Sequence, residues 1–139
     1  MKQCLDIEQM QHLQKLGLKL KETMMYWTNN HKEKQDWYMT RNPVGRLFAD
    51  ECLPAYTLQD VLDALPIEIK YKDKRCWLCI ELADEMIGYY YENARFEHRW
   101  VYYEVVMIDE SLIDAAYRLL IWVIENGYIS KLPANKNSK

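Results

Sequence analysis

Glycine and proline are scarce in this chain, four of each in 139 residues, and no two glycines fall close together. No glycine-rich loop can therefore wrap its amides around a phosphate, and no GxSxG nucleophile elbow is present. Long apolar runs are also missing: nothing approaches the ~20 residues a helix needs to span a bilayer, and the N-terminal MKQCLDIEQMQ lacks a signal peptide's apolar centre. The expectation is a cytoplasmic protein with no membrane partner, in which Cys4, Cys52, Cys76 and Cys79 stay reduced. A basic excess is absent as well. With 18 basic and 21 acidic side chains the net charge is −3, which makes nucleic acid the disfavoured alternative partner.

Histidine occurs three times, at His12, His31 and His98, with no HxH or HxxxH spacing to offer two nitrogens to one metal. Cys76-Trp77-Leu78-Cys79 has the spacing of a redox or zinc half-site. In a strand, however, the two thiols point to opposite faces, far from the helix N-terminus or basic neighbour that a reactive thiolate needs. Asp50-Glu51, Asp84-Glu85 and Asp109-Glu110 each sit where a turn or helix start favours carboxylates, and no calcium-loop pattern occurs. No catalytic residue, metal ligand or cofactor is assigned.

What the chain does have is ring-bearing side chains: 11 Tyr and 5 Trp against 2 Phe, within a composition 50% hydrophobic and 28% charged that suits one ordered domain. The best-marked segment is SLIDAAYRLLIWVIENGYI, residues 111 to 129. Asp109 or Ser111 can cap its start, Asp114 stands at N3 and Gly127 can close its end. Leu112, Ile113, Ala116, Leu119, Leu120, Val123 and Ile124 form a wide apolar face, and Asp114 and Arg118 lie one turn apart with opposite charge. Tyr117, Trp122 and Ile121 widen the apolar girth, so this helix should be sandwiched in the fold or shared with a partner.

Two shorter helices are expected. One covers residues 5 to 17, with Asp6 as cap, Gln9 at N3 and a Leu5–Met10 staple; its core face is Ile7, Met10, Leu13 and Leu16. The other is YTLQDVLDALP, with Thr57 as cap, Asp60 at N3 and a Tyr56–Val61 staple. Residues 22 to 41 read as a hairpin, and residues 42 to 55, with two prolines and a glycine, as a loop. Residues 67 to 108 read as an antiparallel meander of three or four strands, with Cys76, Leu78, Ile80 and Leu82 on its core face. The predicted fold is α+β: an antiparallel sheet of about five strands with helices packed on one face, in the order α-β-β-α-β-β-β-α. Residues 1–132 would form the single domain and residues 133–139 a flexible polar tail.

The meander interleaves Trp77, Tyr89, Tyr90, Tyr91, Trp100, Tyr102 and Tyr103 with Arg95, Arg99 and Glu104. Cross-strand pairs that stabilise a small sheet account for such rings, and since both faces carry them at least half belong to the core. The rest can stack bases or anchor a protein. Trp77, Tyr89, Tyr91, Arg99 and Tyr103 are the residues singled out for binding. The expected partner is a protein, either a different chain or a second copy of this one as a homodimer.

At YTLQDVLDALP and at SLIDAAYRLLIWVIENGYI, about a quarter of the chain, the sequence resembles a group of small uncharacterised proteins carried by phages and prophages of gut bacteria. The resemblance implies a cytoplasmic accessory role in a mobile genetic element. It carries no site residues.

Overall fold

A computed structural model of the chain describes residues 2–29, 37–41 and 51–129. The order is α1 (Ile7–Lys15), β1 (Met25–Asn29), β2 (Tyr38–Arg41), β3 (Glu51–Pro54), α2 (Leu58–Ala64), β4 (Glu68–Tyr71), β5 (Lys74–Glu81), β6 (Met86–Glu92), β7 (His98–Val105) and α3 (Leu112–Glu125). The α+β class stands, but the strands form two antiparallel sheets, β2-β1-β3 and β4-β5-β6-β7, in place of one sheet of about five. The difference begins at β3, inside the segment read as a loop. Met25 faces Arg41 on one side of β1, while Tyr26 to Asn29 face Pro54 to Glu51 on the other. Both edges of β1 are thus filled, and the hairpin with β3 forms a sheet of its own, separate from the meander. Residues 42 to 50, the hairpin loop with His31, and the tail at 133–139 lie outside the described residues.

The helix boundaries follow from their caps. In α1 the Asp6 carboxylate accepts from the Gln9 N–H at 2.8 Å and the Gln9 side chain accepts from the Asp6 N–H at 3.0 Å, satisfying two amides that no intrahelical carbonyl can reach. Thr57 and Asp60 make the same reciprocal box for α2. Both α1 and α3 end in a left-handed glycine, Gly17 (φ 93°) and Gly127 (φ 78°). Behind them the Leu18 N–H reaches Leu13 O and the Tyr128 N–H reaches Val123 O, the paired bonds of a Schellman end.

α3 is sandwiched. Ile113, Ala115, Ala116, Leu119, Leu120, Val123 and Ile124 are all buried, and the helix packs against α2 and across β6 and β7. Leu5, Met10, Leu13, Tyr56, Val61, Ile69, Cys76, Ile87 and Tyr89 complete the same core cluster. At ~25 cal/mol per Å² of apolar surface removed from water, this cluster is the main stabilising contribution. Asp114 and Arg118 do not pair with each other. Asp114 accepts from Lys2 at 2.7 Å and Gln9 at 3.1 Å, while Arg118 donates to Glu104 at 2.8 Å, Glu110 at 2.6 Å and the Val105 carbonyl at 2.9 Å. The first set pins the N-terminal segment to α3; the second braces the last turn of β7 against it.

Among the described residues no helix is long and apolar enough to cross a membrane.

Candidate interaction surface

The four-stranded sheet has one face on α3 and one face open, and strand alternation sorts the rings between them. On the helix side Tyr89 is completely buried, tilted against Trp122, and donates its hydroxyl to Pro66 O at 2.7 Å. Burial pushes its hydroxyl well above the usual tyrosine range. Tyr102 stacks flat on Trp122, ring centres 4.5 Å apart at 4°, and hydrogen-bonds Glu104. Its hydroxyl is pushed up to about 12, first by burial and then by that carboxylate.

The open face carries a continuous row. Trp77 of β5 stands opposite Tyr90 of β6, which stands opposite Trp100 of β7. Ring centres are 6.2 Å apart for Trp77–Tyr90, 6.1 Å for Tyr90–Trp100 and 5.8 Å for Trp100–Tyr103, and His98 lies over Tyr90 at 4.5 Å. Neighbouring rings at these separations attract beyond their buried area, by about 0.5–1.5 kcal/mol per pair. The Arg75 guanidinium sits 6.0 Å above Trp77 at one end of the row, and Tyr103, 47% exposed, closes the other.

A bulge makes the row. Tyr89 faces Tyr102 but Tyr90 faces Trp100, so Val101 is an extra residue on β7, and the face assignment flips beyond it. Without that insertion Trp100 and Tyr103 would point to opposite sides. Gly88 is the second device. A Cβ there would lie 2.2 Å from Tyr102 O, 2.6 Å from Tyr103 Cα and 2.7 Å from Tyr103 Cβ, so only glycine allows β7 this close.

Of the five residues singled out from sequence, the structure brings Trp77 and Tyr103 to the open face. Tyr89 is a correction: it belongs to the core and has no surface to offer. Tyr91 also points to the helix side, half-buried, with Lys74 Nζ 4.6 Å from its ring centre. Arg99, opposite Tyr91, is exposed and ion-paired to Glu97. Tyr90, Trp100 and His98 complete the surface and are not among those five. Tyr90 could have been found by counting forward from the Asp84-Glu85 turn; Trp100 could not, because nothing in the sequence marks the bulge. Leu82, expected on the core face, is 77% exposed because β5 ends one residue before it.

Two ends of this sheet differ in charge. The β4–β5 and β6–β7 turns bring together Lys70, Lys72, Lys74, Arg75, Arg95 and Arg99, against Glu68, Asp73, Glu92 and Glu97, with Arg75 paired to Glu68 at 2.7 Å. The opposite end, formed by the β5–β6 turn and the exit of β7, carries Glu81, Asp84, Glu85, Asp109 and Glu110, the last paired to Arg118. At the basic end a concavity of about 430 Å³ is lined by Lys74, Arg75, Trp77, Tyr91 and Phe96 together with Glu92 and Asn93. At the acidic end a smaller hollow of about 160 Å³ is lined by Leu82, Val106 and Leu112 between Glu81 and Glu85.

The remaining chemistry-bearing groups are engaged locally. Cys76 is buried on the helix side and Cys79 half-buried on the other, both thiols raised by burial, which keeps them protonated and unreactive. His12 Nδ1 lies 2.7 Å from the Tyr117 hydroxyl at the rim of a hollow that also holds Glu104, Arg118 and Trp122. There Glu104 is already saturated by Tyr102 and Arg118. Among the described residues no three or more His, Cys, Asp or Glu side chains are grouped to hold a metal ion. Comparison with protein-family models, with curated proteins and with solved structures gives no match.

Proposed function

We propose that this chain is a non-catalytic association module, a cytoplasmic accessory protein of a phage or other mobile element, that binds protein through the open face of its four-stranded sheet. The carrying observation is the row Trp77–Tyr90–Trp100–Tyr103, rings that do not pack on the core cluster and instead line solvent. Large amphipathic rings on a rigid sheet are the residues that dominate protein interfaces. Burial of the C-terminal helix's apolar face inside the fold favours the sheet over that helix as the docking element. A photo-crosslinking amino acid at Tyr103 should give a discrete polypeptide adduct in the producing cell, and the same group at the exposed Glu8 on α1 should not. Absence of an adduct at both positions refutes the reading.

One observation favours a second reading, binding of single-stranded nucleic acid: the concavity where Lys74 and Arg75, against the single carboxylate of Glu92, flank Trp77, Tyr91 and Phe96. Base stacking between cations suits such a groove. It requires retention of a single-stranded oligonucleotide that weakens steeply with salt.

A further inference from the structure

We infer that the occupant of the open face is a second copy of this chain, docked face to face about a two-fold axis that runs across the strands. The inference rests on the association reading above and adds its partner and its geometry.

A two-fold contact must be self-complementary, because each patch meets its own image. Two axes lie in the plane of a sheet-on-sheet contact. An axis along the strands would set basic end on basic end and acidic end on acidic end. An axis across the strands reverses the strand direction between copies, so the β4–β5 turn with Lys72 comes over the partner copy's β5–β6 turn with Asp84 and Glu85. The charge distribution of the sheet selects the second. It also treats the exposed apolar residues at the two ends as one set. Phe96 is 82% exposed at the basic end, and Leu82, Val105 and Met107 are 77%, 41% and 63% exposed at the acidic end. Val105 and Met86, side by side on the open face, make a ledge there, whereas Leu82 alternates to the helix side beside Val106 and Leu112. Docking across the strands carries each copy's Phe96 toward the other's ledge, twice per dimer.

Edge pairing of β7 with β7 is the competing arrangement, and the structure opposes it. The Val101 bulge breaks the regular edge ladder, and the Arg118 guanidinium already occupies the Val105 carbonyl. The size fits a reversible dimer. Strands of this length and number present a face of roughly 25 Å by 19 Å, about 475 Å² before side-chain relief is counted, below the roughly 800 Å² per partner of a standard interface and in the range of weak, transient ones.

The test is a charge-reversal cycle read by sedimentation velocity on the full chain. Lys72 and Asp84 lie in surface turns, so K72E and D84K should leave the melting temperature and circular dichroism unchanged. The parent chain should dimerise with a dissociation constant in the micromolar range, more tightly at low salt. Each single reversal, counted twice by symmetry, should weaken the dimer about tenfold, and the K72E/D84K double variant should recover most of the loss. Strengthening by either single reversal overturns the axis, since it would mean that like ends meet. A chain monomeric at about 200 µM and low salt overturns the second copy as partner. If that monomer still gives a Tyr103 photo-adduct with a different polypeptide, the association reading stands and only this inference fails. If there is no adduct, or the chain instead retains single-stranded DNA, both fail.

Discussion

Replacing Gly88 by alanine should open the β6–β7 ladder. The added methyl carbon would stand 2.2 Å from Tyr102 O and 2.6–2.7 Å from Cα and Cβ of Tyr103, far inside van der Waals contact. Those atoms belong to the backbone and first carbon of a strand held by its pairing, so no flexible side-chain end can swing away. Relief requires β7 to move outward, lengthening the bonds on either side of the bulge and lifting Tyr102 from its stack on Trp122. Overpacking against backbone costs about 3 kcal/mol, which for a chain of this size lowers the melting temperature by about 10 °C. Gly127 provides the control. It has φ 78° and nothing within 4 Å of the point where a methyl carbon would stand, so alanine there incurs only the left-handed backbone penalty of about 1 kcal/mol. Urea denaturation followed by tryptophan fluorescence should rank Gly88→Ala well below Gly127→Ala, with unchanged denaturant slopes. Equal losses at the two positions would show that β6 and β7 do not approach as described.

Tyr89→Phe removes a buried donor and leaves Pro66 O unpaired, at about 1–2 kcal/mol in denaturant midpoint. Because burial raises the folded-state value of Tyr89, its contribution is complete below the unfolded value near 10 and declines as pH rises above it. The phenylalanine variant should therefore lose stability less steeply in the alkaline range; an unchanged slope would refute this. Asp114 shows the opposite sign. Burial disfavours its charge, but bonds from Lys2, Gln9 and the Ser111 N–H overcome that and lower its value, so its stabilisation is present above about pH 4 and lost as pH falls through the depressed value. Asp114→Asn should cost about 1–2 kcal/mol at pH 7 and flatten the acid limb, measured by thermal melts from neutral to acidic pH. Arg118→Ala strands Glu104 and Glu110 and should cost about 2 kcal/mol; a loss below about 0.5 kcal/mol would make the brace ornamental.

The helices were legible because each is punctuated. Asp6 with Gln9, Thr57 with Asp60, and the glycines at 17 and 127 are local chemical signals that tertiary structure did not override. The strand from Glu51 to Pro54 was not legible, since it is four residues long, contains a proline and is specified by pairing with β1 alone. The open face was half legible. Period-two alternation separates Trp77 from Cys76 and Leu78, yet alternation fails at an inserted residue, and Val101 is an ordinary β-former with nothing to mark it. That is why the sequence alone singles out Tyr103 without Trp100; the core position of Tyr89, on the regular strand β6, follows from the same alternation that puts Tyr90 on the open face.

Among the described residues five non-glycine ones, Lys72, Asp73, Glu85, Phe96 and Asp109, hold positive φ, and four of them lie in the hairpin connections of the larger sheet. A protein engineer seeking a hardier variant would start there, with asparagine–glycine in place of Lys72-Asp73 and glycine in place of Phe96, each change worth up to about 1 kcal/mol. Such a variant would give up a lysine and a ring at the margin of the tyrosine–tryptophan row. Toughening the isolated fold and preserving its stickiness are competing aims at the same few codons.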